Sequence, residues 1–157
     1  MGAEFERKFL VTGDGWRSEV IKTAEIGQGY LAVTDRASIR VRISDGSATL
    51  TVKSQQMDGI RRIEVEAELV QEDAQQLLSE LATGSVEKTR YTLDRAPQTW
   101  TIDVFHGLNG GLVLLEVEDV RDFETPVLPD WVGADVTSDS RYLNASLSAS
   151  PFTSWRS

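Results

Sequence analysis

Apolar and polar residues alternate with a period of two along most of this chain, the signature of strands with one buried face. EFERKFLV (4–11), ASIRVRIS (37–44), SATLTVKS (47–54), IRRIEVEAELV (60–70), SVEKTRYTL (85–93), TWTIDVF (99–105) and GLVLLEVEDV (111–120) each predict a strand. The DGSA between the second and third reads as a hairpin turn, so the strands form an antiparallel meander. Helical spacing is rarer. It predicts helices in SEVIKTAEI (18–26), in QEDAQQLLSELA (71–82) with Asp73 as a cap, and in DSRYLNASLS (139–148). The two prolines of DFETPVLPDWVGA (122–134) predict a loop or irregular helix. With no repeat, low-complexity tract or linker, residues 1–157 are expected to form one domain.

The polar half of the alternation is unusual in kind. Its positions carry Glu4, Glu6 and Lys8; Arg40 and Arg42; Lys53; Arg62, Glu64 and Glu66; Lys88 and Arg90; Asp103; Glu116 and Glu118. Between them stand Phe5, Phe9, Val41, Val52, Val65, Ile102 and Val117. A solvent-facing sheet surface is the ordinary explanation for such alternation. Here, however, neutral polar residues are few. The doublets Glu4/Glu6, Arg40/Arg42, Glu64/Glu66 and Glu116/Glu118 also place like charges two residues apart, which repel unless opposite charge intervenes. A sheet curled into a barrel with this face inward and helices packed outside would enclose a polar tunnel.

Composition then restricts what such a tunnel could do. With 157 residues, 40% of them hydrophobic, the chain can bury a substantial core. It has no cysteine, which argues against disulfides, a thiol nucleophile or a structural zinc site. No signal-peptide pattern or membrane span is recognisable, so a cytoplasmic location and no membrane partner are expected. A net charge of −9 opposes binding of a nucleic acid duplex. The proposed lining holds seven acids (Glu4, Glu6, Glu64, Glu66, Asp103, Glu116, Glu118) and seven bases (Lys8, Arg40, Arg42, Lys53, Arg62, Lys88, Arg90). Carboxylates without His or Cys favour hard cations, Mg²⁺ or Mn²⁺. Arginine doublets and lysines favour phosphate oxygens, and the number of charges fits a compact phosphate chain better than one phosphate.

These residues resemble the CYTH domain family, also called triphosphate tunnel metalloenzymes. EFERK matches the family's E-x-E-x-K signature as Glu4, Glu6 and Lys8, and the likeness continues through QGYL (28–31), IRVRI, TLTVKS, RIEVE, KTRY, WTIDVF, GLVLLEVE and DVTSDSRYLNASL. The resemblance implies an eight-stranded antiparallel tunnel that binds triphosphate-containing substrates with a divalent metal. The ERKFLV start is similar to bacterial members that act on inorganic tripolyphosphate, implying hydrolysis to pyrophosphate and phosphate. The alternatives are a class IV-type adenylyl cyclase, a thiamine or nucleoside triphosphatase, or a non-catalytic polyphosphate- or nucleotide-binding module. A homodimer is left open. Glu4, Glu6, Lys8, Arg40, Arg42 and Lys53 are the expected catalytic residues. All seven bases are expected to hold the phosphate chain, with the seven acids as metal ligands or acceptors beside them. The spacing does not separate direct ligands from a general base.

Other residues are given structural readings. Tyr30, Tyr91 and Trp100 are taken as packing residues and His106 as a loop residue, while Glu68 is left outside the lining. Arg141, Tyr142 and Asn144 open the predicted C-terminal helix and match a pattern of the family; if that helix plugs or gates one tunnel end Arg141 would touch phosphate, and helix capping and packing explain it nearly as well. Gly13, Asp14 and Gly15 do not make a phosphate loop.

Overall fold

The computed structural model describes residues 6–54, 63–118 and 127–155. Its nine strands are β1 (Glu6–Val11), β2 (Val20–Val33), β3 (Ala37–Ser44), β4 (Ser47–Ser54), β5 (Glu64–Leu69), β6 (Ser85–Leu93), β7 (Thr99–Phe105), β8 (Val113–Glu118) and β9 (Val132–Asp135). Helix α1 spans Gln71–Glu80 and α2 spans Asn144–Ala149. All nine strands belong to one sheet in the order β5-β4-β3-β2-β6-β7-β8-β1-β9, every pairing antiparallel. The α+β class read from the alternation therefore holds.

Local chemistry explains most of the elements. Asp45 (φ 47°) and Gly46 (φ 87°) both take left-handed backbone, which the two-residue β3–β4 hairpin needs to match strand twist. The strands predicted over 37–44, 47–54, 85–93 and 99–105 have those bounds in the structure. In α1, Val70 rather than Asp73 is the N-cap, and it makes no side-chain cap hydrogen bond. Glu72 and Asp73 instead lie in the first turn, where their charge favours the positive end of the helix dipole.

Four expectations need correction. Residues 18–26 are not a helix: a 3-10 turn at Gly15–Glu19 leads directly into β2. Val20, Ile21 and Thr23 are β-branched, and pairing with β6 from Val20 onward, joined by β3 from Ile26, overrides the helical spacing. The predicted helix over 139–148 is divided, because Leu143 (ψ 141°) is extended between a 3-10 turn at Ser140–Tyr142 and α2. Within the predicted 122–134 loop, Val132–Asp135 forms β9 on the edge of β1, through Phe9↔Asp135 and Val11↔Val132. Residues 122–126 of that loop lie outside the described residues. Among the described residues the sheet has nine strands rather than eight and is open, with β5 and β9 as its edges; β9 occupies part of the β1 edge at which a ring would close.

The apolar face is covered in two blocks. Phe9, Trp16, Leu93, Trp100, Ile102, Leu115, Val117 and Trp131 form one core. Against the β2–β5 half, Ala74, Leu77 and Leu78 of α1 pack on Val41, Ala48 and Leu50. Each fully buried Leu, Val or Phe side chain here contributes about 1.5–3 kcal/mol. No described helix is long and apolar enough to cross a membrane.

Candidate active site on the charged face

Directly opposed residues of an antiparallel ladder share a face, so the register shows which charges meet. Glu6↔Glu118, Lys8↔Glu116, Thr101↔Glu116, Arg90↔Asp103, Ala24↔Arg90, Gln28↔Arg42, Tyr30↔Arg40, Arg40↔Thr51, Thr51↔Glu66 and Lys53↔Glu64 put every described candidate on the same side of the sheet. Glu4 and Arg62 lie outside the described residues. Glu68, opposite Thr49, shares this face and is exposed.

The β6–β7–β8–β1 part of the face is a largely buried network. Asp103, 1% exposed, accepts from Lys88 Nζ at 2.8 Å and from Arg90 Nε and Nη2 at 2.8 and 2.9 Å. Glu116 meets Lys8 Nζ and Arg90 Nη2, each at 3.6 Å. Burial alone would raise the Asp103 carboxyl, but the Lys88 charge and then the Arg90 hydrogen bonds hold it well below the usual range. Burial pushes Lys88 down to about 8, and the Asp103 charge offsets this only in part because Arg90 shares that carboxylate. For Arg90 the opposite balance holds: burial lowers it, and Asp103 more than compensates. Lys88 is thus an inward buried cation, held also by Asn144 Oδ1 of α2 at 3.1 Å.

Beside this network, single carboxylate oxygens of Glu6, Glu116 and Glu118 lie within 4.8 Å of one another. Such an oxygen-only trio could hold a hard divalent cation. Asp103 is not in the trio, since both its oxygens face cations. Glu64 and Glu66 sit on β5 at the far edge of the sheet.

The β2–β3–β4 part is built differently. Arg42 Nε donates to Gln28 Oε1 at 2.9 Å, and Arg40 Nη2 donates to Thr51 Oγ1 at 3.4 Å. Among the described residues neither arginine forms a salt bridge with a carboxylate. Burial, then the neighbouring charges of Arg40 and Arg90, pushes Arg42 down to about 10. That is the response of a cation placed where positive potential accumulates. Lys53 stands half-buried on the same face.

One end of the face turns apolar. Leu10, Val86, Phe105 and Leu114 continue its rows, and Val136, Tyr142, Leu147, Phe152 and Trp155 close over them. The approach of α2 is so close that a Cβ on Gly84 would lie 2.3 Å from the Ser148 carbonyl oxygen.

The family profile of the CYTH domain matches residues 2–147. The chain belongs to the CYTH domain family. It is 38% identical over 157 residues to an inorganic triphosphatase of Acetivibrio thermocellus, covering 99% of each chain. It is 34% identical over 154 residues to an inorganic triphosphatase of Nitrosomonas europaea, covering 94% of this chain and 97% of the relative. A crystal structure of an inorganic triphosphatase superposes with a TM-score of 0.72 at 34% identity, covering 94% of this chain and 95% of that one.

Within this CYTH domain, the sequence reading found the charged side chains and missed the uncharged groups among them. Gln28, Thr51 and Thr101 are buried on the charged face, and Tyr30 is a member of its rows as well as a packing residue. The alternation of Gln28 with Tyr30 was the available signal, hidden by the helical reading of residues 18–26 just before it.

Proposed function

We propose that this CYTH domain hydrolyses inorganic tripolyphosphate to pyrophosphate and phosphate on the charged face, with Mg²⁺ or Mn²⁺. The observation that carries the reading is the pairing, on one sheet face, of an oxygen-only carboxylate trio with two half-buried arginines that form no salt bridge with a described carboxylate. The named activity of the two relatives agrees with it.

In this reading Glu6, Glu116 and Glu118 hold the metal, with Glu4, Glu64 and Glu66 as further acceptors around the phosphate chain. A divalent ion there supplies charge neutralisation and activates water. Arg40, Arg42 and Lys53 grip non-bridging oxygens, and Arg62 belongs to the same set. Arg90 on β6 stands between the acid trio and the arginine pair, and Lys8 lies within the trio's own strands; each is 3.6 Å from Glu116, where it can meet both the leaving pyrophosphate and the acid that balances it. Asp103 acts as a positioning residue, holding Lys88 and Arg90 charged and aimed. The plugged apolar end leaves the opposite end for substrate entry.

The test is a phosphate-release assay on tripolyphosphate, ATP, thiamine triphosphate and pyrophosphate, with Mg²⁺ or Mn²⁺ and with excess EDTA. Tripolyphosphate should be the preferred substrate, EDTA should stop turnover, and added metal should restore it. Undiminished turnover in EDTA would remove the metal role; cyclic AMP from ATP as the main product would replace hydrolysis by cyclisation.

A further inference from the structure

The two cationic patches are held in position by different chemistry. Arg90 and Lys88 are fixed by a carboxylate, whereas Arg42 is fixed by the neutral amide of Gln28, 1% exposed on β2. A neutral tether orients a guanidinium without cancelling its charge. It also determines the orientation of the amide itself. Arg42 Nε is a donor with no acceptor capacity, so Gln28 must present Oε1 to it and turn Nε2 elsewhere. Among the described residues Gln28 Nε2 is buried with no hydrogen-bond partner, and so is Arg40 Nε. Unmet buried donors are rare and costly in folded proteins, and these two, one on Gln28 beside Arg42 and one on Arg40 itself, indicate a missing acceptor rich in oxygen.

We propose that Gln28 is a further phosphate-binding residue of this site: its Nε2 donates to a non-bridging oxygen of the bound polyphosphate while its Oε1 holds Arg42 toward the same anion. The inference rests on the tripolyphosphate reading above and adds to it a neutral donor that the pattern of charges did not reveal. Gln28 serves both anion and arginine because an amide carries one acceptor and one NH₂ on the same plane. Glutamate, of equal size, keeps the first role and reverses the second. It would still accept from Arg42, now as an ion pair, and would present negative charge where the phosphate oxygen belongs.

The experiment compares wild type, Q28E and Q28A as full-length protein. It records the melting temperature without ligand, the dissociation constant for tripolyphosphate in Mg²⁺, steady-state KM and kcat, and the affinity for Mn²⁺ alone. Q28E should melt at or above the wild-type temperature yet bind tripolyphosphate about a hundredfold more weakly, because like charges face each other across a dry site. Q28A should weaken binding by about tenfold, the loss of one hydrogen bond to a charged acceptor, seen mainly in KM. Mn²⁺ affinity should be unchanged in both. A purely structural glutamine would give the opposite pattern: loss of ligand-free stability without a selective loss of anion affinity. That result, or a Q28E variant that binds tripolyphosphate like wild type, overturns the inference alone. Should Q28E fail to fold, wild-type KM in Q28A would overturn it equally. A wild type that does not bind tripolyphosphate removes the functional reading and this inference together.

Discussion

Asp103→Asn is the substitution whose consequence can be worked most fully. The carboxylate is 1% exposed and receives donors from Lys88 Nζ, Arg90 Nε and Arg90 Nη2, all within 2.9 Å. Asparagine preserves the shape but offers one acceptor atom and one NH₂, so an amide hydrogen is turned toward a donor that formerly met an oxygen. Two cations would then share a largely buried site with Glu116, 3.6 Å from Arg90, and the more distant Glu118 as counter-charges. Removing one partner of a buried pair costs about 3–5 kcal/mol. For a chain of this size each kcal/mol lowers the melting temperature by roughly 2–4 °C, so a fall of about 6–20 °C is expected. Thermal and urea unfolding should agree. The difference from wild type should be largest above pH 5. The folded Asp103 carboxyl lies below its ordinary value of roughly 4, so its stabilisation is present above that value and fades as the pH falls through and below it. Lys88→Met in the Asp103→Asn background should recover part of the loss, since one fewer buried cation then needs a partner. An Asp103→Asn protein within about 1 kcal/mol of wild type would refute the argument that this carboxylate organises the network.

Lys88 adds a second pH signature of the same sense in a higher window: its folded value of about 8 lies below the ordinary lysine value of about 10.4, so the unfolded chain holds a proton that the folded one has lost between these limits. Stability should therefore rise across that window by an amount on the order of 3 kcal/mol relative to Lys88→Met, and parallel curves for the two proteins would refute it. Gly84→Ala should lower stability by about 1–3 kcal/mol, because its Cβ would meet the Ser148 carbonyl at 2.3 Å and push α2 off the apolar end. An unchanged melting curve would show that α2 is not seated there.

What the sequence determined by itself is the strand grammar. Alternation with period two is a local property. The residues of β3, β4, β6 and β7 were legible to their ends, as was the concentration of acids and bases on a single face. The Asp45-Gly46 turn was readable for the same reason, its two left-handed residues being a local requirement. The tertiary structure decided what depends on partners distant in the chain. Val20–Val33 is a strand because β6 pairs its first part and β3 its second, although its first residues carry helical spacing. Val132–Asp135 is a strand because the β1 edge is there to receive it. Counting seven acids against seven bases identified the types of charge but not their allocation, which follows from register and burial. Register puts Asp103 between Lys88 and Arg90, and gives Arg42 a neutral amide from a segment fourteen residues away. Periodicity can predict that a side chain faces the tunnel. Whether its charge is cancelled there depends on which neighbours fold against it.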